Sequence, residues 1–147
     1  MSEKISKVYF YSITVEHQPG EVGRLLKICS EQDVNLLNLM AYPVENNRAK
    51  IDLFPEYGEK LRNAAEAADV TLDGPFRAFI IKGTDRPGVM IEYHLKLAMA
   101  GINVSSANGT SCGDKGFGYI IQVDNDDYDK AAEALGMTGS FSKVMID

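Results

Sequence analysis

Tryptophan is absent from the 147 residues, and cysteine and histidine occur only twice each. Cys29 and Cys112 show no CxxC spacing and no clustered histidine, so neither a zinc site nor a disulfide framework can be built from them. No metal and no cofactor are expected. Two histidines also leave no Ser/His/Asp or Cys/His constellation, and no catalytic residue is assigned. Long apolar runs are missing, for nothing approaches the roughly 18 residues that would span a membrane. The opening Met-Ser-Glu-Lys-Ile lacks the apolar core of a secretory signal, so the expected compartment is the cytoplasm. Basic residues are in deficit, 15 against 21 acidic ones, for a net charge of −6. Such a chain is repelled by phosphate backbones and anionic lipid, and neither nucleic acid nor membrane is an expected partner.

What is present is a globular balance, 45% hydrophobic and 24% charged, arranged as a repeat. Pro19-Gly20 returns 68 positions later as Pro87-Gly88, and Val34-Asn35 returns at the same offset as Ile102-Asn103. A strand-like run precedes each Pro-Gly: Tyr9, Tyr11, Ile13 and Val15 alternate with polar Ser12 and Thr14, and Phe79 and Ile81 fall on the matching side. A helical stripe follows each, Val22, Leu25, Leu26 and Cys29, then Met90, Tyr93, His94 and Leu97. Cys29 reads as a small buried hydrophobe on that stripe, and His94 as a core or interface histidine.

Two extended segments come next in each copy, 36–44 and 49–54, then 104–110 and 117–123, joined by turns at Glu45-Asn46-Asn47 and Cys112-Gly113-Asp114. A second helix carries Leu61, Ala64, Ala65 and Ala68, matched by Tyr128, Ala131, Ala132 and Leu135. Asp126 or Asp127 is placed to cap the later helix, which accounts for the acidic run 124–129 as a solvated turn. Weaker last strands are read at 70–72 and 142–146. Each copy is thus strand-helix-strand-strand-helix-strand. The expected fold class is α+β, two ferredoxin-like βαββαβ modules in tandem, antiparallel sheets with helices on one face. The boundaries are 1–74 and 75–147, with Gly74-Pro75 as the joint.

A Pro-Gly corner feeding a helix presents free N–H groups and the positive end of the helix dipole, where a small carboxylate can dock. An Asn side chain has both donor and acceptor for the ammonium and carboxylate of an amino acid. In the second copy Asp85 can pair with an ammonium and Arg86 with a carboxylate, beside Gly88, Val89 and Asn103. The first copy has His17, Gln18, Gly20 and Asn35, with Glu21 putting a negative charge where a carboxylate would dock. The second corner is therefore the better ligand candidate. The bland alternative is that Pro-Gly turns and strand-start Asn are ordinary punctuation.

Asp85-Arg86-Pro87-Gly88-Val89 followed by Gly101-Ile102-Asn103-Val104 resembles the ACT domain, a regulatory module of amino-acid metabolism. His17-Gln18-Pro19-Gly20 with Asp33-Val34-Asn35-Leu36 resembles a second, less typical copy. The resemblance implies side-by-side modules with an amino-acid effector bound at the interface between them. Asp85, Gly88 and Asn103 would line one site, and His17, Gly20 and Asn35 the other. It further implies a homo-oligomer, a dimer, acting on a separate enzyme of amino-acid metabolism, since the two copies use up the chain.

Two other classes compete. Lys115-Gly116-Phe117-Gly118-Tyr119-Ile120-Ile121-Gln122 nearly matches the octamer of RNA-recognition motifs, whose aromatics stack bases on an open sheet. Strand parity opposes it. Turning Phe117, Tyr119, Ile121 and Val123 inward buries four apolar side chains, each worth about 1.5–3 kcal/mol. The opposite parity buries only one and strands the Gln122 amide, at a cost of about 1–3 kcal/mol. The same parity in the first copy puts Ala49, Ile51 and Leu53 inward and Arg48, Lys50 and Asp52 outward. The remaining alternative is a dimerisation module with no ligand.

Overall fold

The computed structural model describes residues 3–137 and 144–145. Along the chain come β1 (Lys4–Glu16), α1 (Glu21–Glu31), β2 (Leu36–Val44), β3 (Arg48–Pro55), α2 (Gly58–Ala67), β4 (Asp73–Thr84) and α3 (Ile91–Met99). Then follow β5 (Val104–Cys112), β6 (Gly116–Val123), a 3-10 turn at Asn125–Asp127, α4 (Tyr128–Ala134) and β7 (Val144–Met145). The fold is α+β, with antiparallel strand pairs. The last strand expected at 142–146 falls mostly outside the described residues. The one expected at 70–72 is not a strand. Pairing begins at Asp73 and continues through Gly74-Pro75 to Thr84, so the expected joint lies within β4.

The chain divides into two compact units, one of Tyr9–Phe76 and one that joins the residues up to Val8 to Arg77–Val144, with the residues from Met145 assigned to the former. In the Tyr9–Phe76 unit β3 pairs with both β1 and β2, placing Ile13 opposite Ile51 and Ala41 opposite Ile51 on the other side. Its core joins Tyr11, Ile13, Ile51 and Leu53 of the sheet to Leu25 and Cys29 of α1 and Leu61 and Ala64 of α2. Leu26, expected on the buried stripe, is 42% exposed; α1 meets the core through Leu25 and Cys29, with Val22 and Ile28 packed against it. In the other unit β6 pairs with β4 and β5. Phe79, Ile81, Phe117 and Ile121 pack against Tyr93 and Leu97 of α3 and Tyr128 and Ala131 of α4. Tyr128 stacks on Phe79 with centroids 4.4 Å apart and donates its hydroxyl hydrogen to the Ala78 carbonyl at 2.8 Å.

Backbone irregularities recur at the sequence offset. Gly20 and Gly88 have φ of 94° and 77°, Asp33 and Gly101 of 56° and 75°, Asn46 and Asp114 of 61° each. The first helix of each unit closes alike, with Val34 N–H reaching the Cys29 carbonyl at 2.8 Å and Ile102 N–H the Leu97 carbonyl at 3.0 Å. These are Schellman-type ends with the left-handed residue just past the helix. Consecutive positive φ at Asn46-Asn47 and Asp114-Lys115 gives both hairpins the twist of a primed turn. Both second strands also shift register at one place, between Leu36 and Asn38 and between Val104 and Ser106. Asp127 stands at the N-cap of α4 but makes no side-chain capping bond.

Asp52 points outward as expected, away from the helix-side core, but that side is not solvent. Asp52 and Ser12 are buried on the face away from the helices. Ser12 donates to Asp52 Oδ1 at 2.5 Å and Tyr42 to Oδ2 at 3.0 Å, so the carboxylate exchanges hydration for two hydroxyls. On the same face Phe10 stacks on Phe54 with centroids 4.7 Å apart and meets Phe76 at 5.4 Å.

Glu3 explains why the first residues join the later unit. Tyr93 donates to its carboxylate at 2.9 Å, and Ile5 packs against the core of that unit. Burial, then the Glu3 hydrogen bond and charge, push the Tyr93 phenol up to about 12. Burial and then the Asp52 charge do the same for Tyr42, also to about 12. Both folded values lie above the ordinary 10.0, so the folded state holds these protons more tightly than the unfolded chain. Their stabilisation is complete below about pH 10 and is lost as pH rises through about 12. Urea unfolding between pH 9 and 12 is expected to show this decline, and the double variant Tyr42→Phe, Tyr93→Phe to flatten it.

Candidate functional site

The Gly88 corner is built at the end of β4. Asp85 N–H bonds the Lys115 carbonyl, fastening the start of the turn to the β5–β6 hairpin. Gly88 then takes φ 77°, and Val89 N–H closes on the Arg86 carbonyl at 3.2 Å. Helix α3 starts at Ile91, three residues after Gly88, whereas α1 starts directly after Gly20. Val89 is buried; Asp85, Arg86 and Gly88 are exposed. Neither the Asp85 carboxylate nor the Arg86 guanidinium has a hydrogen bond or ion pair among the described residues.

A cavity of about 250 Å³ opens at this corner. Asp85, Val89 and Met90 line one side, Gly109, Thr110 and Ser111 at the end of β5 another, and Phe117 to Tyr119 of β6 the third. It pairs one free carboxylate with apolar walls and two hydroxyls, a lining suited to a small zwitterion with a modest side chain.

The Gly20 corner differs. Glu21 accepts hydrogen bonds from Gln18 at 3.1 Å and Arg24 at 3.0 Å. These bonds, Gln18 first, hold its carboxyl below the usual range. A carboxylate of the chain itself thus sits at the start of α1, and Gln18 is committed to it. His17 is exposed, its N–H bonded to the Asn47 carbonyl at 2.9 Å.

The two asparagines are not at their own corners. Asn35 precedes β2 at the end where Leu36 faces Pro55, while the Gly20 corner adjoins the end where Glu16 faces Arg48. Asn103 precedes Val104, which faces Val123, while Thr84 faces Gly116. The eight residues of β6 separate these ends by about 24 Å. The expectation that Asp85, Gly88 and Asn103 line one site therefore does not fit the geometry of a single unit. In a strand-helix-strand unit, the helix carries the chain back along the strand, so both its ends cannot meet. Asn35 instead lines a cavity of about 390 Å³ with Leu26, Cys29, Ser30, Asp33, Val34 and Leu36.

Phe117 is buried in the helix-side core, and Tyr119 packs partly buried against it. Neither is laid out on an open face to stack bases. Tyr119 was legible as a core residue, but its place in the cavity wall was not. No group of three or more His, Cys, Asp or Glu able to hold a metal ion occurs among the described residues. No helix among them is long and apolar enough to cross a membrane.

No protein-family model matches the sequence, and no curated protein matches it. Solved structures do resemble the fold. A crystal structure of a protein from Bacteroides thetaiotaomicron aligns with a TM-score of 0.75 at 16% identity, over 91% of this chain and 88% of that one. The ligand-free regulatory subunit of aspartate kinase from Thermus thermophilus aligns with a TM-score of 0.60 at 14% identity, over 95% and 96%. Aspartate kinase from Synechocystis aligns with 0.56 at 18%, over 97% of this chain but 28% of that enzyme. The fold is thus ACT-like, shared with regulatory domains of aspartate kinase.

Gly88→Ala tests the corner. An added Cβ would meet only the flexible end of Ile91, at 3.0 Å, so the cost is chiefly the left-handed φ. A loss of about 1–2 kcal/mol is expected in chemical unfolding.

Proposed function

We propose that this is a non-catalytic regulatory protein of two ACT-like modules in tandem, over 1–74 and 75–147 with the first strand residues lent to the second. It binds an amino acid or a similar small metabolite at an interface between modules. The observation that carries this reading is the Gly88 cavity, with an unpaired Asp85 carboxylate at an ACT-like turn. A fold shared with regulatory domains of aspartate kinase supports regulation over catalysis. Each unit's turn and asparagine stand at opposite ends, so a ligand addressed by both takes them from two modules. Asp85, Arg86, Gly88 and Val89 form the stronger half-site, and His17, Gln18 and Gly20 the weaker. Asn35 and Asn103 are the complementary groups. The regulated partner is a separate enzyme of amino-acid metabolism, and the compartment is the cytoplasm.

Thermal unfolding with each common amino acid at millimolar concentration is the direct test. A ligand that binds only the folded state at 100 times its Kd adds about 2.7 kcal/mol, a rise of several degrees. Asp85→Ala is expected to abolish that rise while leaving the ligand-free melting temperature nearly unchanged, since its side chain has no partner in the fold. No shift with any amino acid would overturn the reading.

Homodimerisation belongs to the same proposal. Ile91, Leu95 and Met99 are 60%, 57% and 89% exposed at successive turns of α3, an apolar stripe of the kind that marks an interaction surface. Beside it, Glu92 and Lys96 are paired at 3.1 Å, and charges of both signs in one turn complement a twofold-related copy. Light scattering is expected to give twice the 16.1 kDa chain mass for the native protein and the single mass for Leu95→Glu.

A further inference from the structure

The wall of the Gly88 cavity formed by Tyr119 is held in place from three sides. Tyr119 of β6 stands directly opposite Gly109 of β5 in the strand register. A Cβ built on Gly109 would lie 2.3 Å and 2.7 Å from the ring atoms Cδ1 and Cε1. The ring therefore lies flat on the glycine backbone, in space that any other residue would fill. Its hydroxyl shares a 2.9 Å hydrogen bond with His94 Nε2, from α3, and the two rings meet edge-on with centroids 5.7 Å apart. On its inward side it packs against the core that contains Phe117.

A ring fixed by strand, helix and core cannot swing aside to admit a longer ligand, because a new rotamer would break the His94 bond and leave the Gly109 surface bare. We propose that Tyr119, seated on Gly109 and tied to His94, is the specificity-determining wall of this cavity and restricts its ligand to amino acids with short side chains. This rests on the reading above that the cavity takes an amino acid. Asp85 at the mouth addresses the ammonium group and sets the ligand's direction. Val89 and Met90 leave an apolar berth for the side chain, and Tyr119 limits how far it extends. Each methylene beyond that limit is expected to weaken binding by about 10–200-fold.

Isothermal titration of the full chain with all the common amino acids tests this. For the native protein a short-chain ligand, alanine to valine in size, is expected to bind at least about 10-fold more tightly than leucine, phenylalanine or lysine. Tyr119→Ala is expected to shrink that ratio by at least about 10-fold, through a gain for the long side chains. Gly109→Ala removes no part of the wall but displaces the ring, and is expected to weaken the short ligands by a similar factor. It supplies the answer if Tyr119→Ala does not fold. Tyr119→Phe keeps the ring on Gly109 but loses the His94 bond, and is expected to narrow the native ranking by less than Tyr119→Ala does. Preference of the native protein for long side chains overturns the proposal. So does a ranking that neither Tyr119→Ala nor Gly109→Ala alters; in both cases the regulatory reading stands. Failure of every amino acid to bind the native protein overturns both.

Discussion

The pleat of β6 is the constraint on which the rest of the molecule depends. Its odd-numbered residues, Phe117, Tyr119, Ile121 and Val123, are turned towards α3 and α4, and three of the four are buried in the core there. A slip of one residue would turn all of them out of this core and put Gly118, Ile120 and Gln122 in their place. The same pleat sets Phe117 and Tyr119 as walls of the cavity at the end of the strand, so the packing of the core and the shape of the candidate site are one decision. It also removes the aromatic platform that the Lys115–Gln122 octamer suggests, although the octamer's composition is nearly complete.

The opposite sheet face is less simple than a solvent face. In the Tyr9–Phe76 unit it holds three phenylalanine rings and the Ser12–Asp52–Tyr42 cluster, in which both carboxylate oxygens accept a hydroxyl. Asn38 Oδ1 in this unit and Gln122 Nε2 in the other are buried with no partner among the described residues. They stand in the strand pairs Asn38–Phe54 and Ser106–Gln122, which correspond at the repeat offset. An alternation read from one strand sees polar residues and assigns them to water. It has no view of the rings beside them that keep water out.

Local chemistry distinguishes the two Pro-Gly corners. Glu21 brings a carboxylate to the first turn of α1 and binds Gln18 and Arg24 to it. At the Gly88 corner the first-turn acid of α3, Glu92, is paired with Lys96 instead, and Asp85 stands free beside a cavity. The two units thus have unequal corners, although both are built on the same order of strand, turn and helix. Surface loops tolerate this because they carry few buried contacts.

Sequence periodicity by itself determined the order of the four helices, the bounds of β2, β3, β5 and β6 to within about two residues, and most of the buried positions, including Cys29, Leu97, Ile121 and Tyr128. These follow from local rules: a period of two or of 3.6, a glycine or aspartate past a helix end, a Pro-Gly corner. Only the tertiary structure decided that residues up to Val8 pack with the later unit, that Asp52 is buried, and that Tyr119 spans Gly109 to reach His94. It alone decided, too, that each Asn lies a strand's length from its own Gly. Those facts depend on which distant segments become neighbours, and a spacing along the chain carries no information about distance once a helix has folded it back.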